Sequence, residues 1–239
     1  MLTEKQIKNY YKMANQKKPK EQLNVEEALT QSEAFIVKHK SLIIGAVFGI
    51  IGVIAGVLLY NNFYAEPREE KAQAALFKGQ EYFENDLFDL ALNGDSIGYI
   101  GFLKIADDYS GTKAAGLSKA YAGICYKNLG EYEKAIKVLE KFNGNDIMVA
   151  PAVLGAIGNC YAELNQLDKA ASYLMKGAEK ADNNTLSPVF LVQAGQIFVK
   201  QGKYDDAIKA YTQVKDKYFN SYQAMDIDKY IEQARLLKK

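Results

Sequence analysis

The side chains that could do chemistry are few, and their spacing suits none of the common reactions. Two cysteines, Cys125 and Cys160, and one histidine, His39, are the only thiols and imidazole in 239 residues. A nucleophilic thiol or hydroxyl needs a base within hydrogen-bond reach, and a zinc site needs three or four converging ligands. His39 stands between Lys38 and Lys40 at the edge of a long apolar run, a place for an interfacial residue rather than a base or ligand. Carboxylates are dispersed on solvated positions such as Glu131, Glu133, Asp205 and Asp206, with no recognisable acid–base pair. No P-loop, dinucleotide fingerprint or HExxH occurs. Catalytic residues, a metal site and a bound cofactor are therefore not expected, and the chain reads as non-enzymatic.

The elements around these residues begin with residues 41–60, SLIIGAVFGIIGVIAGVLLY. Leu42 to Tyr60 is 19 residues without a charge. As a helix it rises about 28 Å, close to a hydrocarbon core of roughly 30 Å. A transmembrane helix is expected over 41–61. Forty residues precede it and Phe63 stands where a cleavage site wants a small residue, which argues against a removed signal peptide. Residues 1–40 hold eight lysines and five glutamates, a net of +3, whereas 61–71 net −1. Basic residues near a span stay inside, so a cytoplasmic tail (1–40) and an exported C-terminal part are expected, in a single-pass protein. Residues 61–239 hold 22 bases and 24 acids, a balance that does not favour nucleic acid. Within the span, Gly45, Gly49, Gly52 and Gly56 share one helix face. That stripe reads either as a docking face for another membrane helix or a second copy, or as the ordinary glycine tolerance of spans. In the tail, Thr3 with Gln6 and Asn24 with Glu27 have the spacing of helix caps, so short helices are expected there.

The exported part repeats. AGICYKNLGEYEKAIKVL (122–139), IGNCYAELNQLDKAASYL (157–174) and AGQIFVKQGKYDDAIKAY (194–211) superpose. Each has a glycine (Gly123, Gly158, Gly195), a ring three residues on (Tyr126, Tyr161, Phe198) and a turn residue (Gly130, Asn165, Gly202). An apolar residue (Tyr132, Leu167, Tyr204) and an alanine (Ala135, Ala170, Ala207) follow. The glycine lets a second helix pack closely on the first, the ring fills the wedge between hairpins, and the turn residue ends the first helix in the left-handed region. Ser187–Pro188 reads as an N-cap followed by proline. Gly79, Tyr82, Asp86, Phe88 and Ala91 fit a fourth, degenerate unit within 62–112, with a long first helix over about 67–86, an irregular link and a short second helix to about Tyr109. Three regular units are expected over 113–223 and a capping helix over 224–239. Cys125 and Cys160 occupy one position in adjacent units, which reads as two buried thiols more readily than as a bridge.

These positions resemble the tetratricopeptide repeat (TPR) family, whose period is 34 residues. The resemblance implies an all-α architecture, one N-terminal transmembrane helix followed by a helical-hairpin solenoid. It also implies a concave groove lined by the first helices: Leu117, Ala120, Ile124, Lys127, Asn128, Ala152, Gly155, Asn159, Ala162 and Glu163, then Val189, Val192, Gln196, Val199 and Lys200. Such a groove suits an apolar peptide or partner helix, or is filled in part by the chain's own C-terminal helix. Asp95–Ser96–Ile97 resembles a short periplasmic O-glycosylation acceptor at Ser96, and reads equally as a turn. The layout as a whole, with ALNGDSIGYIGFLKIADDYSGTKA and YAGICYKNLGEYEKAI, resembles the YfgM-type ancillary subunits of the Sec translocon in their Bacteroidetes form. That resemblance implies protein partners: translocon subunits, a membrane-anchored periplasmic chaperone and emerging polypeptides. The other reading is a TPR scaffold of a different envelope assembly or secretion complex.

Overall fold

The computed structural model describes residues 33–238. The helix caps expected at Thr3–Gln6 and Asn24–Glu27 lie outside the described residues. The chain divides into two units, Met1–Tyr60 and Asn61–Lys239.

In the first unit a short helix over 33–38 meets a turn at His39, and α1 (Lys40–Tyr60) follows. None of its residues is buried. A core helix of a soluble domain hides most of its apolar surface. Here Leu42, Phe48 and Val53 are all about two-thirds exposed, and the helix is long and apolar enough to cross a membrane.

The second unit is helical throughout its regular structure. A π-helical turn (Asn61–Ala65) precedes α2 (Glu66–Glu84), α3 (Phe88–Asn93) and α4 (Phe102–Asp108). Three hairpins follow: α5 (Lys113–Asn128) with α6 (Tyr132–Leu139), α7 (Val149–Glu163) with α8 (Leu167–Ala181), and α9 (Ser187–Lys200) with α10 (Tyr204–Lys217). A 3₁₀ turn (Tyr222–Asp226) leads into α11 (Ile227–Lys238). The second helices begin with acids (Glu133, Asp168, Asp205) and end with bases (Lys137, Lys180, Lys215), the arrangement that suits the helix dipole.

The core is three apolar clusters in series rather than one. The first joins α2–α5, the second joins the first two regular hairpins, and the third joins α8 to α11. Tyr126 packs against both the first and the second, as a wedge between successive units must. Alanine is the commonest buried residue, including Ala135, Ala170 and Ala207, each with no exposed surface. Its small side chain allows helix axes to approach closely. α11 closes the series: Ile227, Ile231 and Ala234 face inward, while Asp228, Lys229, Glu232 and Arg235 face water.

Candidate protein-binding site

Each hairpin is built by the same local device. Gly130, Asn165 and Gly202 have φ of 79°, 54° and 72°. The next amide donates back to the carbonyl of the ring residue: Glu131 to Tyr126, Gln166 to Tyr161 and Lys203 to Phe198, each at 2.8 Å. The turn amides donate three residues back, to Lys127, Ala162 and Val199. This is the Schellman pair that satisfies the last carbonyls of a helix. The degenerate unit repeats it with Asp86 at φ 58° and Leu87 donating to the Tyr82 carbonyl at 3.0 Å.

Reversal at that turn lays the second helix across the glycine of the first. Leu139 covers Gly123, Leu174 covers Gly158 and Tyr211 covers Gly195, always 16 residues later. A Cβ on Gly158 would lie 2.8 Å from Leu174 Cγ and 3.1 Å from the Ala170 carbonyl oxygen, closer than packed atoms allow. In the degenerate unit Gly79 meets Tyr99 and Phe102 instead. Phe102 stacks on Tyr121 at 5.0 Å, and Tyr82 donates to Asp95 at 2.6 Å. Asp95 also accepts from the Ile97 and Tyr99 amides, both at 2.9 Å, so Asp95–Ser96–Ile97 forms a carboxylate-held turn with Ser96 exposed. Hydrogen bonding from Tyr82 and these amides holds the Asp95 carboxyl below its usual range.

Several helix starts are capped by residues that sequence reasoning missed. The Glu69 carboxylate accepts from the Lys113 and Ala114 amides at 2.7 and 3.0 Å, capping α5 from 44 residues away. Its neighbour Arg68 donates to the carbonyls of Asp108 (2.8 Å) and Ser110 (3.3 Å). Asp146 accepts from Met148 and Val149 at the start of α7. At α9 the expected N-cap is corrected: Ser187 is the first helical residue and fully buried, and its hydroxyl donates to the Ala178 carbonyl at 2.8 Å. Asn183 takes the terminal amides of Thr185 and Leu186 instead. An Asx turn of this kind is signalled by Asn or Asp three or four residues before a helix, as at Asp146 and Asn183.

The groove residues fall into two groups. Leu117, Ile124, Lys127, Asn159, Val189, Val192 and Val199 are half-buried and Gln196 is exposed. Leu117 also packs on the first cluster, and Val189, Val192 and Val199 pack on the third. Ala120 and Gly155 do not line a groove, contrary to expectation. Ala120 is 3% exposed within the second cluster, and the Phe190 ring covers Gly155. The surface left for a partner is thus narrower than the full first-helix set.

Cys125 and Cys160 are free and buried. Burial pushes the Cys125 thiol up to about 12 and the Cys160 thiol up to about 11, although the Lys127 charge pulls the latter down. Neither is a nucleophile near neutral pH. Among the described residues no cluster of three or more potential metal ligands occurs. Gly45, Gly49, Gly52 and Gly56 all lie on α1, and an added Cβ at any of them meets nothing within 4 Å.

Family profiles agree with this geometry. Tetratricopeptide repeat profiles match residues 122–143, 151–181 and 190–221. No curated protein matches the chain. Two crystal structures are similar, of a Podosopora anserina protein assigned as a kinesin light chain with nearly identical TPR-like repeats and of its single-substitution variant. Each has 12% identity and a TM-score of 0.49, over 71% of this chain and 95% or 96% of the other. Among the described residues all regular structure is helical, and the chain carries tetratricopeptide repeats, an architecture that indicates a protein–protein interaction scaffold and is typically non-enzymatic.

Proposed function

We propose that this protein is a membrane-anchored scaffold of the bacterial inner membrane, an ancillary subunit of the Sec translocon. In this reading α1 crosses the bilayer once, the lysine-rich residues 1–40 stay in the cytoplasm, and the repeat unit lies in the periplasm. The glycine stripe of α1 docks against a translocon helix. The repeats hold a membrane-anchored periplasmic chaperone or an emerging chain on the half-buried residues Ile124, Asn159, Val192 and Val199.

One observation carries the reading: an apolar helix exposed along its whole length precedes a repeat unit whose first helices keep apolar side chains only partly covered. Both surfaces have the chemistry of partner contacts, close helix approach in lipid for the first and apolar burial for the second. The basic bias of residues 1–40 supports the orientation.

Affinity purification in mild detergent, with partners identified, is the test. Recovery of translocon subunits, and their loss when α1 is replaced by an unrelated apolar span, is the expected result. Recovery only of other envelope proteins favours a scaffold of a different assembly. Added protease on intact spheroplasts checks orientation: removal of the repeat unit is expected, and trimming of the lysine-rich start alone reverses the topology. Ile124→Asp and Val192→Asp probe the groove, and unchanged partner recovery with intact helicity excludes it.

A further inference from the structure

The joint between the first two regular hairpins is unlike the next. α6 has 8 residues, whereas α8 has 15 and α10 has 14. The second joint is stitched by side chains: Asp168 takes Gln201 (2.9 Å) and Lys203 (2.6 Å), and Asp182 takes Lys217 (2.6 Å) and Tyr218 (3.1 Å). Across the first, the one side-chain hydrogen bond among the described residues is Tyr173 to Glu140 at 3.1 Å. Where the shorter helix ends, the chain passes through a non-helical run over 142–146 before α7.

Two clefts, of about 360 and about 600 Å³, flank this run, and Phe142, Asn143, Gly144 and Asn145 line both. In the larger, Leu117 and Val149 join Phe142 to give an apolar floor. The Phe142 ring lies over Gly144, where any side chain would displace it. Asn143, Gly144 and Asn145 make no hydrogen bond, through backbone or side chain, to any other described residue. Three consecutive residues therefore present free main-chain donors and acceptors beside an apolar recess. A helical ligand satisfies its own backbone and has no use for such a run. An apolar small molecule has none either. An extended polypeptide needs both parts: main-chain partners for its amides and a recess for a side chain. The asparagine amides add a donor and an acceptor each, matched to peptide groups. Lys113 and Asp146 contribute opposite charges to the lining, so no net charge is selected.

We propose that this cleft is a second binding site, for an extended polypeptide segment that pairs through its main chain with Asn143–Asn145 and seats an aliphatic side chain against Leu117, Phe142 and Val149. It shares Leu117 with the groove but none of the groove residues of α7 or α9, and so goes beyond the function proposed above.

The test uses the full chain in detergent and two fluorescein-labelled peptides. One is a short alternation of threonine and valine with terminal lysines. The other is the same peptide N-methylated at every residue, which removes the amide donors from both of its edges. Saturable anisotropy is expected for the first, with affinity at least about tenfold weaker for the second. Val149→Asp should weaken the first by about tenfold or more, while Val192→Asp leaves it within about twofold. Because Val149 is half-buried, Asn145→Pro is the companion variant: the residue is exposed and its substitution removes one donor. Peptide-dependent protection of 142–146 from amide exchange completes the expected pattern. Equal affinity for both peptides, absence of saturable binding, or loss with Val192→Asp but not with Val149→Asp or Asn145→Pro overturns the proposal. The groove reading stands or falls separately, on partner recovery by Val192→Asp.

Discussion

Glycines occur at regular intervals in both the apolar helix α1 and the repeats, yet their surroundings are opposite. Gly123, Gly158 and Gly195 are each covered by a side chain of their own hairpin, Leu139, Leu174 or Tyr211. Gly45, Gly49, Gly52 and Gly56 face open space. A covered glycine has its reason inside the fold, since removing the Cβ lets one particular helix approach. An uncovered row has no such lid among the described residues, and in the reading proposed above it serves the approach of a partner helix. Spacing alone does not separate the two cases. The presence of a lid does.

The comparison can be broken at several points. The largest effect is expected from removing a lid. Leu174→Ala, at a residue with no exposed surface, should cost about 2–5 kcal/mol by chemical unfolding, because the cavity forms between two helices that cannot close. Filling the covered position comes next. Gly158→Val should destabilise by about 1–3 kcal/mol, since the Ala170 carbonyl beside it is backbone and cannot move aside. Gly202→Ala tests the turn instead of the lid, at about 1–2 kcal/mol for a Cβ at φ 72°. In α1, Gly49→Val with Gly52→Val should leave unfolding of the repeats within about 0.5 kcal/mol of wild type. The same pair should reduce recovery of membrane partners. A marked loss of repeat stability from that pair would erase the distinction.

Acid gives the smallest effect. Hydrogen bonding from Lys203 to Asp168, and from Lys217 to Asp182, holds both carboxyls below the usual carboxylate range. A depressed native value means that the stabilisation is present above the unfolded carboxylate value near about 4 and is lost as pH falls through the native one. Asp168→Asn with Asp182→Asn should therefore lower stability slightly at neutrality, converge with wild type in acid, and flatten the profile between.

Much of the fold could be read from the sequence because its determinants are local. Gly123, Tyr126, Gly130 and Ala135 lie within one hairpin, and their spacing records the turn and the crossing directly. What escaped was non-local or a matter of helix length. Nothing near Glu69 in sequence marks it as a cap for α5, since the amides that it holds are 44 and 45 residues away. The early end of α6 has a visible cause, the Asn143–Gly144–Asn145 breaker run. The unchanged spacing from Ala135 to Ala170 conceals it, because loop replaces helix without altering the period. Ser187 was misread for a related reason: a serine before proline has the composition of a cap, but here its hydroxyl turns back to the preceding helix. The groove was only partly legible, because periodicity assigns a face and not the depth at which Ala120 and Gly155 are buried.

The two buried thiols make the molecule convenient to interrogate. With Cys125 and Cys160 titrating at about 12 and about 11, maleimide or a disulfide-forming reagent near neutral pH should pass them by. Any cysteine introduced at the surface, at Asn145 or along the span at Gly49, would then be the sole reactive handle. Spin labels, dyes and crosslinkers could be attached site by site without first stripping the native residues from the chain.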